Sequence, residues 1–241
     1  MEHCTNDRLR YGMKRPYSGR RNRPCTWWIA AIIVVLLAGC APAQYTVNMK
    51  YVPTGTTRVI ESSPQPFAVT VAAFEDRRNI KDKMNIGRVI KSNGAVVPVW
   101  PKFVEPARAV SVPIKDFLMM MGFSVSSLSP AWDLKEGSIR KEWGPLLIGG
   151  SIDELEVVSE DSLTTTKYQA KAKITIIFAD ARTSRIFHSV TTESSSSLSH
   201  VMLTEEKLEE QINTAISGAI DKVIDAKVIK NIIREALERT P

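Results

Sequence analysis

Apolar and polar positions change period several times along this chain, and each change marks an element. Phe67-Ala-Val-Thr-Val-Ala-Ala-Phe74 is apolar on both alternate faces, which predicts a central strand covered on both sides. Glu75 to Asn93, rich in charge, Asn and Gly, reads as a polar loop, and Ala95 to Val99 as a short strand before Trp100-Pro101. Val110, Ile114, Phe117, Leu118 and Met121 recur at three- and four-residue steps, so a helix is expected between Glu105 and Met121, with Gly122 as its C-terminal stop. Pro113 constrains it. Either the helix starts near Ser111 with the proline in its first turn, or it kinks. Met119-Met120-Met121 is expected to fill core, a plastic binding surface being the alternative. Phe123 to Leu128 alternates as a strand.

The second half carries the clearest pattern. Tyr168, Ala170, Ala172, Ile174, Ile176 and Phe178 fall on one strand face, with Gln169, Lys171, Lys173 and Thr175 on the other. Leu146 to Val158 precedes this strand, and Arg185 to Ser196 follows it across Asp180-Ala-Arg-Thr183, so the three form an antiparallel meander. Apolar parity shifts from Leu146, Ile148 and Ile152 to Leu155 and Val157, which a bulge near Gly149-Gly150 or Asp153 would explain. Thr204 to Glu238 is helical by pattern, with Thr204 as N-cap and Leu208, Ile212, Ala215, Ile216, Ala219 and Val223 as its first stripe. A straight helix of that length would run ~50 Å, so a bend is expected near Asp225. Beyond it Val228, Ile229, Ile232, Ile233, Ala236 and Leu237 form a second stripe.

The N-terminal pattern is of another kind. Seven basic residues precede the apolar run Trp27 to Leu37, which ends in Leu37-Ala38-Gly39-Cys40. That order is a secretory leader, and the tetrapeptide resembles the lipobox of bacterial lipoproteins in full. The resemblance implies a diacylglycerol on the Cys40 thiol, cleavage before Cys40, and acylation of the new amino group. The apolar stretch to Gly39 is only 13 residues, short of the ~20 needed to cross a bilayer. By resemblance to the lipoproteins of enteric bacteria, Ala41 rather than Asp after the cysteine implies export to the outer membrane, facing the periplasm, rather than retention at the inner membrane. Met13 offers an alternative start, and Arg20-Arg21 lacks the apolar continuation of a twin-arginine signal.

Charge and cysteine content change meaning once the leader is set aside. The whole chain is +6, but residues 1–39 carry seven Lys/Arg against Glu2 and Asp7, leaving only +1 for the mature chain. Nucleic acid therefore loses its main support as a partner. Cys4 and Cys25 leave with the leader and lipid occupies Cys40, so no disulfide can form within the mature chain. The expected organisation is a removed signal peptide, 1–39; a lipidated N-terminus and extended, proline-interrupted tether, 40–66; and one periplasmic domain, 67–241.

The fold class is α+β with α/β character: an open mixed sheet with a three-strand antiparallel meander, one short helix and a long C-terminal helix. The first strand followed by Asp76-Arg77-Arg78, Gly87, the Met121-Gly122-Phe123 helix end and Ile152-Asp153 leading into Lys171 to Phe178 resemble the YajG-type lipoproteins over Phe67 to Val223. Activators of cell-wall synthases and curli-secretion factors are similar in element order, and shared fold does not carry function across.

Catalytic constellations are sparse. His188 and His200 stand 12 apart with no metal-ligand spacing around them, so no metal or other cofactor is expected. Gly149-Gly150-Ser151-Ile152-Asp153 starts like a nucleophile elbow but lacks the second flanking Gly and lies in a strand pattern. The chain is read as a non-enzyme. Two classes remain: a lipid-anchored binding or assembly component, held to the membrane through Cys40 and docking an unidentified periplasmic or outer-membrane protein, or a carrier of an amphipathic lipid or lipopolysaccharide between sheet and helices. Candidate partner-binding residues are Asp76, Arg77, Arg78, Ile229, Ile232, Ile233 and Leu237. The triplet's bland reading is a charged turn, and the tail stripe's is docking onto the protein's own sheet.

Overall fold

A computed structural model describes residues 44–53, 68–223, 229 and 231. Its spine is one long strand, Leu146–Asp161 (β7), and the rest of the sheet is arranged along its two edges. One edge pairs along its full length with Thr166–Asp180 (β8), which in turn pairs with Arg185–His200 (β9); this is the expected meander. The other edge is shared by three short strands, all parallel to it. Ala68–Val71 (β2) meets Leu146 to Ile148, Glu75–Asp76 (β3) meets Ser151 and Ile152, and Gly87–Ile90 (β4) meets Val157 to Glu160. Val96–Pro101 (β5) closes a hairpin on β4, Tyr45–Val47 (β1) lies parallel on β5, and Ser124–Val125 (β6) lies parallel on β2. Among the described residues the result is an open mixed sheet with two helices, as the pattern predicts.

The parity shift in β7 is a bulge at Asp153, where the register with β8 slips between Ile152 and Glu154. Before it, Leu146 to Ile152 are buried on both faces; after it, Leu155 and Val157 face the core while Glu156 and Glu160 face solvent. The second cover over the first half is supplied by residues 130–145, with short 3₁₀ turns at Glu136–Ser138 and Lys141–Trp143. Trp132, Leu134 and Ile139 pack there against Ala72, Leu147 and Ala179. A β-carbon on Gly149 would stand 2.5 Å from the Trp132 ring, and one on Gly150 the same distance from Phe74. The glycine pair is therefore the place where both covering layers touch the sheet.

Pro106–Met120 (α1) runs through Pro113 without a break in helical assignment, rather than beginning near Ser111. Its end is a Schellman motif: Gly122 has φ +89°, and Phe123 N–H reaches Leu118 O at 3.1 Å. Glu205–Val223 (α2) covers the inner face of β8 and β9. Thr204 Oγ1 caps it by accepting Lys207 N–H at 3.3 Å, and its predicted stripe is buried throughout. At ~1.5–3 kcal/mol for each buried Ile, Leu or Val side chain, that stripe holds the helix to the sheet.

Four expectations are corrected. The loop 75–93 contains β3 and β4, whose pairing with β7 is distant in sequence. Met121 alone of the three methionines is core; Met119 and Met120 face outward. The strand after Gly122 is only two residues long, and Leu128 is exposed. Finally, part of the expected tether belongs to the body, because Val47 and Met49 are buried.

That N-terminal segment is strapped along α2. The N–H groups of Thr46, Asn48, Lys50 and Val52 donate to Glu205 Oε1, Glu209 Oε2, Asn213 Oδ1 and Ser217 Oγ at 2.9, 3.0, 2.9 and 2.8 Å. Two residues of extended chain advance ~6.7 Å and four of helix ~6 Å, so alternate amides meet acceptors one helical turn apart. Asn213 Nδ2 also donates to Asn48 O at 3.1 Å, and Tyr51 Oη to Asp221 Oδ1 at 2.5 Å. Burial, then that bond to Asp221, pushes the Tyr51 hydroxyl pKa well above its ordinary value.

Candidate functional site

Asp76, Arg77 and Arg78 leave β3 at the edge of β7, and their side chains part. Arg78 turns inward and is only 4% exposed. Its Nε and Nη2 donate to Asp76, Nη1 to Asn85 O at 2.9 Å and Leu155 O at 3.2 Å, and Nη2 also to Lys83 O. All five guanidinium donors are thereby used, and none is left for a partner. Arg78 is the internal strut of loop 78–87. Arg77 is exposed and pairs with Glu75 at 2.8 Å. Gly87 closes the loop where a β-carbon would meet Val157 O at 1.9 Å, so only glycine lets β4 approach β7 there.

A groove of about 540 Å³ lies between this loop and β7, floored by Asp153 to Glu156 and Lys171. The bulge residue Asp153 accepts from Ser151 Oγ at 2.8 Å and Thr175 Oγ1 at 2.6 Å. Lys171 bridges Glu154 at 2.7 Å and Glu193 at 3.2 Å; these bonds raise its pKa, and the same contact lowers that of Glu154. Of the charged side chains here, Arg78, Asp153, Glu154 and Lys171 are satisfied within the protein, and Arg88 pairs with Glu156.

A larger groove, about 710 Å³, separates the N-terminal strap from α1. Met49, Tyr51, Val104, Val112 and Pro113 line it, Phe103 and Met120 stand at its rim, 73% and 64% exposed, and Lys50, Glu105, Arg108 and Asp116 supply polar groups. Its one legible signal is Met120, part of the methionine cluster for which a plastic binding surface is the alternative reading. The strap that forms its other wall was hidden in the expected tether.

The remaining candidates are placed as follows. Ser151 is buried in β7, its hydroxyl spent on Asp153, and the segment is a strand rather than an elbow. His188 lies beside Phe178 and His200 at the far end of β9, where its ring nitrogen Nδ1 accepts Met202 N–H at 3.3 Å. Among the described residues no three His, Cys, Asp or Glu side chains cluster to hold a metal ion. Ile229 is buried in the main core, which corrects its place among exposed partner-binding residues. Ile232, Ile233 and Leu237, the bend near Asp225, and Leu37, Ala38, Gly39 and Cys40 lie outside the described residues. No described helix is long and apolar enough to cross a membrane.

No family model matches this sequence, and no curated protein matches it either. Several solved structures are similar to it at low scores. A Xanthomonas campestris protein of the DUF330 family is similar at 11% identity and TM-score 0.48, over 83% of this chain and 100% of that one. A Helicobacter pylori homologue of a neuraminyllactose-binding hemagglutinin is similar at 14% identity and TM-score 0.44, over 78% and 99%. Lipoprotein GNA1162 of Neisseria meningitidis follows at 11% and 0.36, over 70% and 99%. At these scores the likeness carries no functional weight.

Proposed function

We propose that this protein is a lipid-anchored envelope lipoprotein, facing the periplasm from the outer membrane, that acts as a non-enzymatic binding or assembly component. One observation carries the anchoring: a basic start, a short apolar run and Leu37-Ala38-Gly39-Cys40 in unbroken order. Acyl chains on Cys40, each methylene contributing ~0.8 kcal/mol when buried, give a stable anchor where a single chain gives a marginal one. YajG-type kinship rests on the short motifs quoted above, and the described geometry adds roles for two of them, Arg78 and Gly87, that concern the loop's own folding.

The apolar groove between strap and α1 supplies the docking surface for an envelope protein. Phe103 and Met120 are large, exposed and adjacent to polar groups that would fix orientation, the composition of a binding site. Arg77, with Ile80 and Met84 on the same loop, is the exposed remnant of the triplet and a second contact. The test is co-purification from detergent-solubilised envelopes: Phe103→Asp with Met120→Asp should lose the partner while melting as wild type does. Retention of the same partner by the double variant contradicts this surface.

The same groove supports a second reading, an amphipathic ligand such as a lipid. Its volume lies in the ~300–1,000 Å³ range of small-molecule sites. The seat is then beside α1; the space between sheet and helices is filled by buried side chains among the described residues. Mass spectrometry of lipids extracted with wild type and with the double variant separates the two readings.

A further inference from the structure

The register of the sheet brings three turns to one end of the domain. β4 and β7 are parallel and reach Ile90 and Glu160 side by side, so the β4–β5 turn and the β7–β8 turn project together. His200 pairs with Thr166, which places the β9–α2 connection beside them. Among the described residues this end carries exposed apolar side chains: Leu163 is 96% exposed, Val201 76% and Met202 64%, with Val96 at the foot of the β4–β5 turn.

These tips are built rather than loose. Ser162 and Thr165 close the hairpin through Ser162 N–H to Thr165 O at 3.0 Å, and Thr166 Oγ1 donates to Asp161 at 2.7 Å. Tyr168 Oη donates to Met202 O and accepts Thr204 N–H, both at 2.9 Å, fixing the connection with Val201 and Met202 outward.

The same end is where the chain leaves toward Cys40. Through β5 and β4, Tyr45 stands level with Val157 of β7, and the chain preceding Tyr45 points toward Asp161. Four residues separate Tyr45 from Cys40, so Cys40 lies at most ~18 Å away. From Val157 to Asp161 the strand advances ~13 Å, and Leu163 lies in the turn just beyond it. Anchor reach and tip height therefore match, and the strap along α2 prevents β1 from paying out more chain.

We infer that Leu163, Val201 and Met202 form a membrane-facing end that enters the interface of the same leaflet as the acyl chains, holding the domain upright on the bilayer. This rests on acylation at Cys40. Charges at this end are mixed, Lys91, Lys167 and Lys207 against Glu160, Asp161, Glu205 and Glu206, so the contact is made by the apolar side chains and does not need anionic lipid.

The test uses full-length, processed lipoprotein reconstituted in vesicles of phosphatidylethanolamine and phosphatidylglycerol, and again in phosphatidylcholine alone. Single-cysteine variants Leu163→Cys and Thr183→Cys carry an environment-sensitive fluorophore; Thr183 marks the β8–β9 turn, ~45–50 Å away along β8. The expected result in both vesicles is a blue shift and loss of emission with headgroup-proximal spin-labelled lipid at position 163, and neither at 183. Intact mass of the same sample reports acylation. Acylated protein whose position 163 behaves like 183 overturns the inference alone; absence of acyl mass overturns the anchoring reading and this inference with it.

Discussion

The N-terminal strap, 44–53, and the loop 78–87 are both short segments held against elements remote in sequence, and they are held in opposite ways. The loop depends on one guanidinium, Arg78, which ties Asp76, Lys83, Asn85 and Leu155 together from the inside. The strap depends on a row of helix side chains, each satisfying one or two backbone groups. A single strut fails all at once, whereas a row of hydrogen bonds fails locally.

The largest effect should therefore come from Arg78→Met. Removing one partner of a buried ion pair costs about 3–5 kcal/mol, because three carbonyls lose a donor and the Asp76 carboxylate loses its guanidinium, keeping only the backbone N–H of residue 78 and Lys83 at 3.7 Å. For a domain of this size that lowers Tm by roughly 10 °C. A calorimetric scan checks it, and an unchanged Tm would mean the loop has other supports. Gly87→Ala should come next, at about 1–3 kcal/mol, since the β-carbon meets backbone rather than a movable side chain.

Asn213→Ala tests the strap. It loses two hydrogen bonds, about 1–3 kcal/mol in all, and the loss should stay local. Amide exchange should speed up at Asn48, Lys50 and Val52 while β7 and β8 keep their protection. Global acceleration would show that the strap and the sheet unfold together.

The alkaline limb gives a smaller effect. The Tyr51 hydroxyl titrates higher in the folded protein than in the unfolded chain, where it is near 10. The folded state then holds its proton more tightly, so the stabilisation is fully present below pH 10 and is lost as pH rises above it. Tyr51→Phe should be slightly less stable at neutral pH and should lose less stability between neutral pH and the alkaline range; parallel curves would dissociate the strap from this titration. Smallest of all is Arg77→Glu, expected within about 1 kcal/mol because its ion pair with Glu75 is exposed. Its effect should appear in partner co-purification instead.

The same contrast explains what could be read without coordinates. The meander, β2, the α1 stop at Gly122 and the α2 cap at Thr204 were legible because each is written in local periodicity or end chemistry. The strap was legible in principle: Tyr45, Val47, Met49 and Tyr51 alternate, and Glu205, Glu209, Asn213 and Ser217 recur every four residues. Flanking prolines at 42 and 53 concealed it. Strands as short as β3 and β4 exist only through pairing with β7, and the cover formed by Trp132, Leu134 and Ile139 has no period at all. Of the candidate site, the burial of Arg78 could not be foreseen, since its partners Asn85 and Leu155 are brought to it by the fold. The exposed Phe103 and Met120 break the rule that large apolar side chains are core, which is why they enter the proposed docking surface rather than the sequence reading.

The central claim is that Cys40 carries lipid and anchors this domain to the envelope. Growth with labelled palmitate, followed by capture of wild type and Cys40→Ala, tests it directly. The account predicts label in the wild-type protein alone, with the variant accumulating as an uncleaved precursor; equal incorporation into both would contradict it.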